Sequence, residues 1–364
     1  MKKTLALILA AVMALSLVAC AKTPANGGTE AKGSVYYLNF KPEADQAWQA
    51  LAKTYTEKTG VEVKVVTAAS GQYDTMLTSE LDKSAPPTMF QVGNQGAVNS
   101  YGDFCYPLDN TDVMKEMTTQ DFNLKNANGE TVSIGYCYEA FGIIVNKALL
   151  KQAGYEITDI TNFETLKKVA DDIHSRAAEL GFDAFSSAGL EGSSSWRFSG
   201  HLANMPLFYE FRDDKVTSQP AAIKGTYLDA FKNVWDLYTT DSATTGAALT
   251  TATGDASEAE FGQGKAVFYQ NGSWEWAALT GTGDGQYGLD NLSMIPFYCG
   301  VAGEEKAGLN CGTENCWAVN AKASAEDIQA TLDFMYWLVT DAEVSRMLVD
   351  EFAVMPYKQA AEST

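Results

Sequence analysis

Three short segments concentrate the side chains that could grip a ring-shaped, hydroxyl-rich molecule. They are Gln91-Val92-Gly93-Asn94-Gln95, the stretch from Glu191 to Arg197 that contains Trp196, and Asn271-Gly272-Ser273-Trp274. Each follows an expected strand, and open α/β sheets bind ligands outside the carboxyl ends of their strands. Sugars present flat apolar C–H faces edged by hydroxyls. A site for them needs aromatic plates together with amide, carboxylate and guanidinium partners. Other chemistries are poorly provided for. The chain has no Gly-x-Ser-x-Gly elbow, no His-Glu-x-x-His and no phosphate loop. It has 2 histidines, and the cysteine spacings match no zinc site. Among 46 acidic residues no catalytic pair stands out. Neither a catalytic residue, nor a metal, nor a cofactor is expected.

The elements that must position these segments alternate. Val35–Phe40 reads as a strand, and Trp48, Leu51, Ala52 and Tyr55 then share one face of a helix that Gly60 stops. Val61–Val66 is an alternating, β-branched strand, so the opening is a βαβ unit and the sheet is expected to be parallel. Further strands are expected at Thr88–Val92, Ala140–Val145 and Lys265–Tyr269. Thr161-Asn162-Phe163-Glu164 reads as a capping box before a long helix from Phe163 to Leu180. Tyr227–Tyr238 and Ile328–Leu338 read as helices, and Thr239–Glu258 as a loop or weak helix. The pattern predicts an α/β protein of two lobes.

Lys2 and Lys3 precede sixteen uncharged residues, Thr4–Ala19, and Cys20 follows to complete Leu17-Val18-Ala19-Cys20. This reads as a secretory signal over 1–19, too short for a membrane span. Its end resembles the lipobox of bacterial lipoproteins, so Cys20 is the expected lipidation site and the expected location is extracytoplasmic, lipid-anchored to the cell membrane. Residues 20–33, small and polar, fit a flexible tether. Net charge is -20, and -22 once Lys2 and Lys3 are removed, which argues against nucleic acid or an anionic lipid surface as partner. Five cysteines remain: Cys105, Cys137, Cys299, Cys311 and Cys316. Buried free thiols are expected, with a Cys311–Cys316 bridge as the alternative.

Several motifs in order resemble the extracellular solute-binding proteins of bacterial ABC importers, in the carbohydrate branch that includes maltose-binding protein. Tyr55–Val63 is similar to the family's Lys-Thr-Gly joint, and Asn146-Lys147 to its strand exit. Phe261-Gly262-Gln263-Gly264-Lys265-Ala266-Val267 followed by Asn271-Gly272-Ser273-Trp274 resembles its Gly-Lys-Ala strand and Asn-Gly-x-Trp turn. Phe334–Val339 and Val354-Met355-Pro356 are similar to its late helix and apolar-Pro turn. The resemblance implies a hinge-linked, two-lobed periplasmic-binding-protein-like fold that closes on its ligand. Lobe one would be 34–139 plus 306–364 and lobe two 140–305. It also implies a permease partner and no catalysis. The chain stops at Thr364, before the helices that usually return to the second lobe, so no contact is expected from that region.

By resemblance, Trp274 is the stacking plate and Trp196 belongs to the second lobe's aromatic cluster. Glu139 stands where a family carboxylate accepts sugar hydroxyls. Gln91, Asn94 and Gln95 replace the Trp, Asp and Arg of maltose-binding protein, which argues against maltose itself. Arg197, Asn39, Tyr73 and Asn271 complete the expected ligand set, while Asp74 is expected to be a helix N-terminal charge and Trp276 to sit in the core or on the rim. Two rival readings stay open. A cationic solute such as a polyamine would need converging carboxylates, for which Glu139, Glu191, Glu275 and Glu314 are candidates. A surface glycosidase would need a catalytic carboxylate such as Glu139.

Overall fold

The computed structural model describes residues 32–187, 189–218, 220–281, 289–352 and 355–360. The signal segment, Cys20 and nearly all of the tether lie outside the described residues, as does Val354. The described chain opens with β1 (Ser34–Asn39) and the helix Asp45–Thr59, then β2 (Glu62–Thr67). Trp48, Leu51, Ala52 and Tyr55 are buried, as their spacing requires. Gly60 closes the helix at φ 73°, and its N–H donates to the Thr56 carbonyl at 2.8 Å.

The first sheet runs β2-β1-β3-β11-β5-β4, with β3 at Met89–Gln91, β4 at Leu124–Lys125, β5 at Thr131–Gly135 and β11 at Cys316–Val319. β2, β1 and β3 are parallel, as the βαβ reading expects. The rest of the sheet is antiparallel, because β11 returns from the far end of the chain and pairs Trp317 with Gln91. Such a return needs no crossover helix. The second sheet runs β10-β6-β8-β7, from β10 (Asn310–Gly312), β6 (Glu139–Asn146), β8 (Ala266–Gly272) and β7 (Asp183–Phe185). β9 (Leu292–Ile295) also pairs with β6. Glu139 and β10 thus add to this second sheet, outside the 140–305 span. Each sheet has its own buried core.

The chain passes from the first sheet to the second through residues 136–138 and returns through 313–315. These two strands of crossover lie side by side, with the Tyr136 N–H donating to the Asn315 carbonyl at 2.8 Å. That leaves two lobes joined at a narrow hinge.

Several local expectations shift. The capping box is built by Asn162 and Thr165, one residue beyond Thr161 and Glu164. The long helix stops at Ser175 and resumes as a single turn at Ala177–Leu180. β8 runs on through Asn271 and Gly272, so these residues pair with β6 and the turn begins at Ser273. The Thr239–Glu258 stretch contains a 3-10 segment, Gly246–Thr251, and the start of the helix Gly254–Gly262. All five cysteines are free, four buried and Cys311 exposed, so no Cys311–Cys316 bridge forms.

Candidate functional site

Four aromatic side chains from three parts of the second lobe converge beside the hinge. Phe141 projects from β6, where it sits opposite Gly272 of β8. His201 stacks flat on it, ring centroids 3.9 Å apart and planes 4° from parallel. Trp196 meets His201 edge-on at 4.8 Å, and Trp274 lies 5.6 Å from His201 and 6.0 Å from Trp196. Trp274 is carried by the 3-10 turn Ser273–Glu275, and its ring folds back over Gly272. A Cβ at that glycine would stand 2.1 Å from the indole. Only a residue without a side chain leaves room for this pose.

Trp196, Arg197 and His201 are brought together by a π-helical turn, Arg197–Leu202. Such turns are rare, and the extra residue per turn commonly serves to re-aim side chains at functional sites. The Trp196 Nε1 donates to the Ser193 carbonyl at 2.9 Å, which fixes the plate. The Arg197 guanidinium lies 4.2 Å over the Trp196 ring and donates to Ser194 Oγ at 2.8 Å and Tyr269 OH at 3.2 Å. Gln270 Nε2 lies 2.6 Å from His201 Nδ1. Burial and the nearby Arg197 charge push the His201 pKa down to about 3. The ring is therefore neutral.

Polar groups line the same region. Glu275, next to Trp274, has its pKa pushed up to about 7 by burial, then by Glu258 and by Glu43 of the other lobe, against a lowering pull from Arg197 and Asn271. At the hinge, Lys41 Nζ reaches Glu139 at 2.5 Å and Glu43 at 2.9 Å, and Asn315 Nδ2 donates to the other Glu139 oxygen at 2.5 Å. These carboxylates hold buried Lys41 protonated against its desolvation.

The residues singled out in the sequence fall into three groups. Trp274, Trp196, Arg197 and Asn271 meet at the aromatic cluster; Asn271 is fully buried, its Oδ1 accepts from the Gly272 N–H, and its Nδ2 has no partner at hydrogen-bond distance among the described residues. Glu139 is committed to Lys41 and Asn315 at the hinge. The remaining residues belong to the first lobe. Asn39 is buried and bonded to the Lys41 backbone and Thr67; Tyr73 is buried and bonded to the Gln91 backbone. Gln91 is buried, and its Oε1 has no partner among the described residues. Asn94 caps the helix Gln95–Tyr101, and both Asn94 and Gln95 are exposed. Phe141, His201, Gln270 and Lys41 were not singled out as ligand groups, and Glu275 only as a carboxylate for the cationic reading. One signal was available for His201: it lies five residues after Trp196 on a segment already marked as aromatic. Among the described residues no group of His, Cys, Asp or Glu could hold a metal ion.

The model of the family described as bacterial extracellular solute-binding protein matches residues 50–362. The chain belongs to this family. It is an extracytoplasmic solute-binding protein of ABC importers, and it is not an enzyme. No curated protein sequence matches it. Solved structures share the fold at low identity. A solute-binding protein in complex with raffinose, RafE, is 17% identical with a TM-score of 0.71, over 91% of this chain and 84% of that one. The GacH receptor of Streptomyces glaucescens, studied with acarbose, is 20% identical with a TM-score of 0.68, over 91% and 81%. A chitin oligosaccharide binding protein is 16% identical with a TM-score of 0.66, over 91% and 84%.

Proposed function

We propose that this solute-binding protein captures a sugar or oligosaccharide between its lobes and delivers it to a membrane permease. The observation that carries the reading is the convergence of Trp196, His201 and Trp274 beside the hinge, ringed by Arg197, Asn271 and Glu275. Aromatic faces cover the C–H side of a sugar ring, and the polar set suits its hydroxyls. The three neighbours above are described with raffinose, acarbose and chitin oligosaccharide, which supports the same class. The lobes are taken as 34–139 with 306–364, and 140–305, with Glu139 and β10 added to the second sheet. Trp274 and Trp196 are the plates. Gln91, Arg197 and Asn271, each with an unpartnered polar atom, are the first candidates for hydroxyl contacts. Glu139, Asn39, Tyr73, Asn94 and Gln95 complete the set.

A thermal-shift screen against neutral and charged saccharides tests the class, since ligand at a hundred times its Kd stabilises by about 2.7 kcal/mol. With a ligand in hand, Trp274→Ala is expected to cost roughly 2–4 kcal/mol of binding, about 30- to 1,000-fold in Kd. The variant should keep its fold, because the ring is partly exposed. Normal affinity would remove Trp274 from the site. The anchor belongs to the same proposal, resting on Leu17-Val18-Ala19-Cys20. Cys20→Ser should move the protein from the membrane to the soluble fraction, and continued membrane retention would count against lipidation.

A further inference from the structure

Cation accounting around the aromatic cluster leaves an imbalance. Around Glu275 the carboxylates of Glu258 and Glu43 are opposed by one cation, Arg197. Lys41 is committed to Glu43 and Glu139. Arg197 bonds Ser194 and Tyr269, lies over Trp196, keeps its Nε without a partner among the described residues, and forms no ion pair with Glu275. His201, neutral at working pH, contributes no charge. Glu275 Oε2 is buried without a partner at hydrogen-bond distance among the described residues. An orphaned buried carboxylate oxygen costs more than any other unpaired acceptor. It sits directly after the Trp274 plate.

We propose that the solute carries an ammonium group, which Glu275 receives beside the Trp196, His201 and Trp274 rings. This deepens the saccharide reading and rests on it: the class becomes amine-bearing saccharides. An ammonium donates to Glu275 Oε2, offsets the surplus of carboxylates, and is attracted by the faces of the indoles. A sugar hydroxyl in that place satisfies the hydrogen bond and leaves the charge unbalanced. The same ring contacts serve the C–H face of the sugar in either case, so only the amine distinguishes the two.

Calorimetric titration of the purified protein at neutral pH tests this with matched probes: a glucosamine trisaccharide, its N-acetylated form, and the glucose trisaccharide of the same linkage. The glucosamine form is expected to bind about tenfold or more tighter than the glucose form. Glu275→Gln should bring the two together, and Glu258→Gln should narrow the gap in part. Circular dichroism of both variants checks that they fold. Equal or tighter binding of the neutral form overturns the inference, and so does a preference that survives Glu275→Gln. Silence of the amine-bearing probes also overturns it. If a neutral saccharide binds in that case, the saccharide reading stands alone; binding of spermidine without any saccharide removes both.

Discussion

Glu275 and His201 sit within one aromatic cluster and titrate in opposite senses from the usual range. The Glu275 carboxyl is raised to about 7, so the folded state holds its proton more tightly than the unfolded chain does. Its destabilising effect is complete above pH 7, is relieved as pH falls, and is absent below the unfolded value near 4.5. The groups acting on it are Glu258 and Glu43, which raise it, and Arg197 and Asn271, which lower it. Glu275→Gln should therefore be more stable than the parent at pH 8, by up to about 3 kcal/mol, and equal to it near pH 4.5. Urea unfolding of both proteins at the two pH values checks this; a gain that is the same at both would mean the carboxyl is not the titrating group. Trp274 and Trp196 were legible from the sequence because an aromatic after a strand is a local pattern. Their company was not. His201 joins them through a π-helical turn, Phe141 through pairing of β6 with β8, and Lys41 across the hinge, none of which has a signature in residue spacing. Asn271 was read as a turn residue, and instead extends the strand, because β6 supplies a partner, Gly142, to hold it there.

Among the elements, those with strong local periodicity were the ones sequence could place. The helix Asp45–Thr59 and its Gly60 stop follow from four buried positions and one glycine. The capping box shows how a boundary slips. Thr161 and Glu164 have the right types, yet Asn162 Oδ1 accepts from the Thr165 N–H at 2.9 Å and Thr165 Oγ1 takes the Asn162 N–H at 3.2 Å. Asn is at least as good a cap as Thr, and shifting by one residue buries Phe163 against the second core. Asn162→Ala should cost about 1 kcal/mol, read as a lower urea midpoint, whereas Thr161→Ala should cost little. If the two costs were reversed, the box would be the Thr161–Glu164 one after all. Sheet direction was only half legible. The parallel strands β2, β1 and β3 are announced by their joining helix, but β11 comes from 225 residues beyond Gln91, counted to Cys316, and no local pattern states which neighbour it will choose.

At the scale of the whole molecule, two contacts between the lobes stand out among the described residues. One is the hinge, where residues 136–138 and 313–315 run together and Lys41 ties the first lobe to Glu139 of β6. A charge buried between two carboxylates holds this junction in register, since removing either partner would strand the other in a poorly solvated place. The other is the far rim. Gly71, just before the helix Tyr73–Leu81, has φ +72°, and a Cβ there would stand 3.0 Å from the carbonyl oxygen of Gly192 in the second lobe. Rim and hinge together define how close the lobes come, and so how tightly the aromatic cluster can be covered. Both features of Gly71 matter separately, so the test must keep the backbone and change only the bulk. Asn tolerates the left-handed region far better than other side-chain residues. Gly71→Asn should therefore fold normally and press against Gly192 only when the lobes approach. The expected result is a roughly tenfold weaker Kd, about 1.4 kcal/mol, for whichever saccharide the screen identifies. Small-angle scattering of the saturated variant should also show a larger radius of gyration than the saturated parent. An unchanged affinity with an unchanged scattering profile would mean that the rim contact is incidental and that closure is limited by the hinge and the ligand alone.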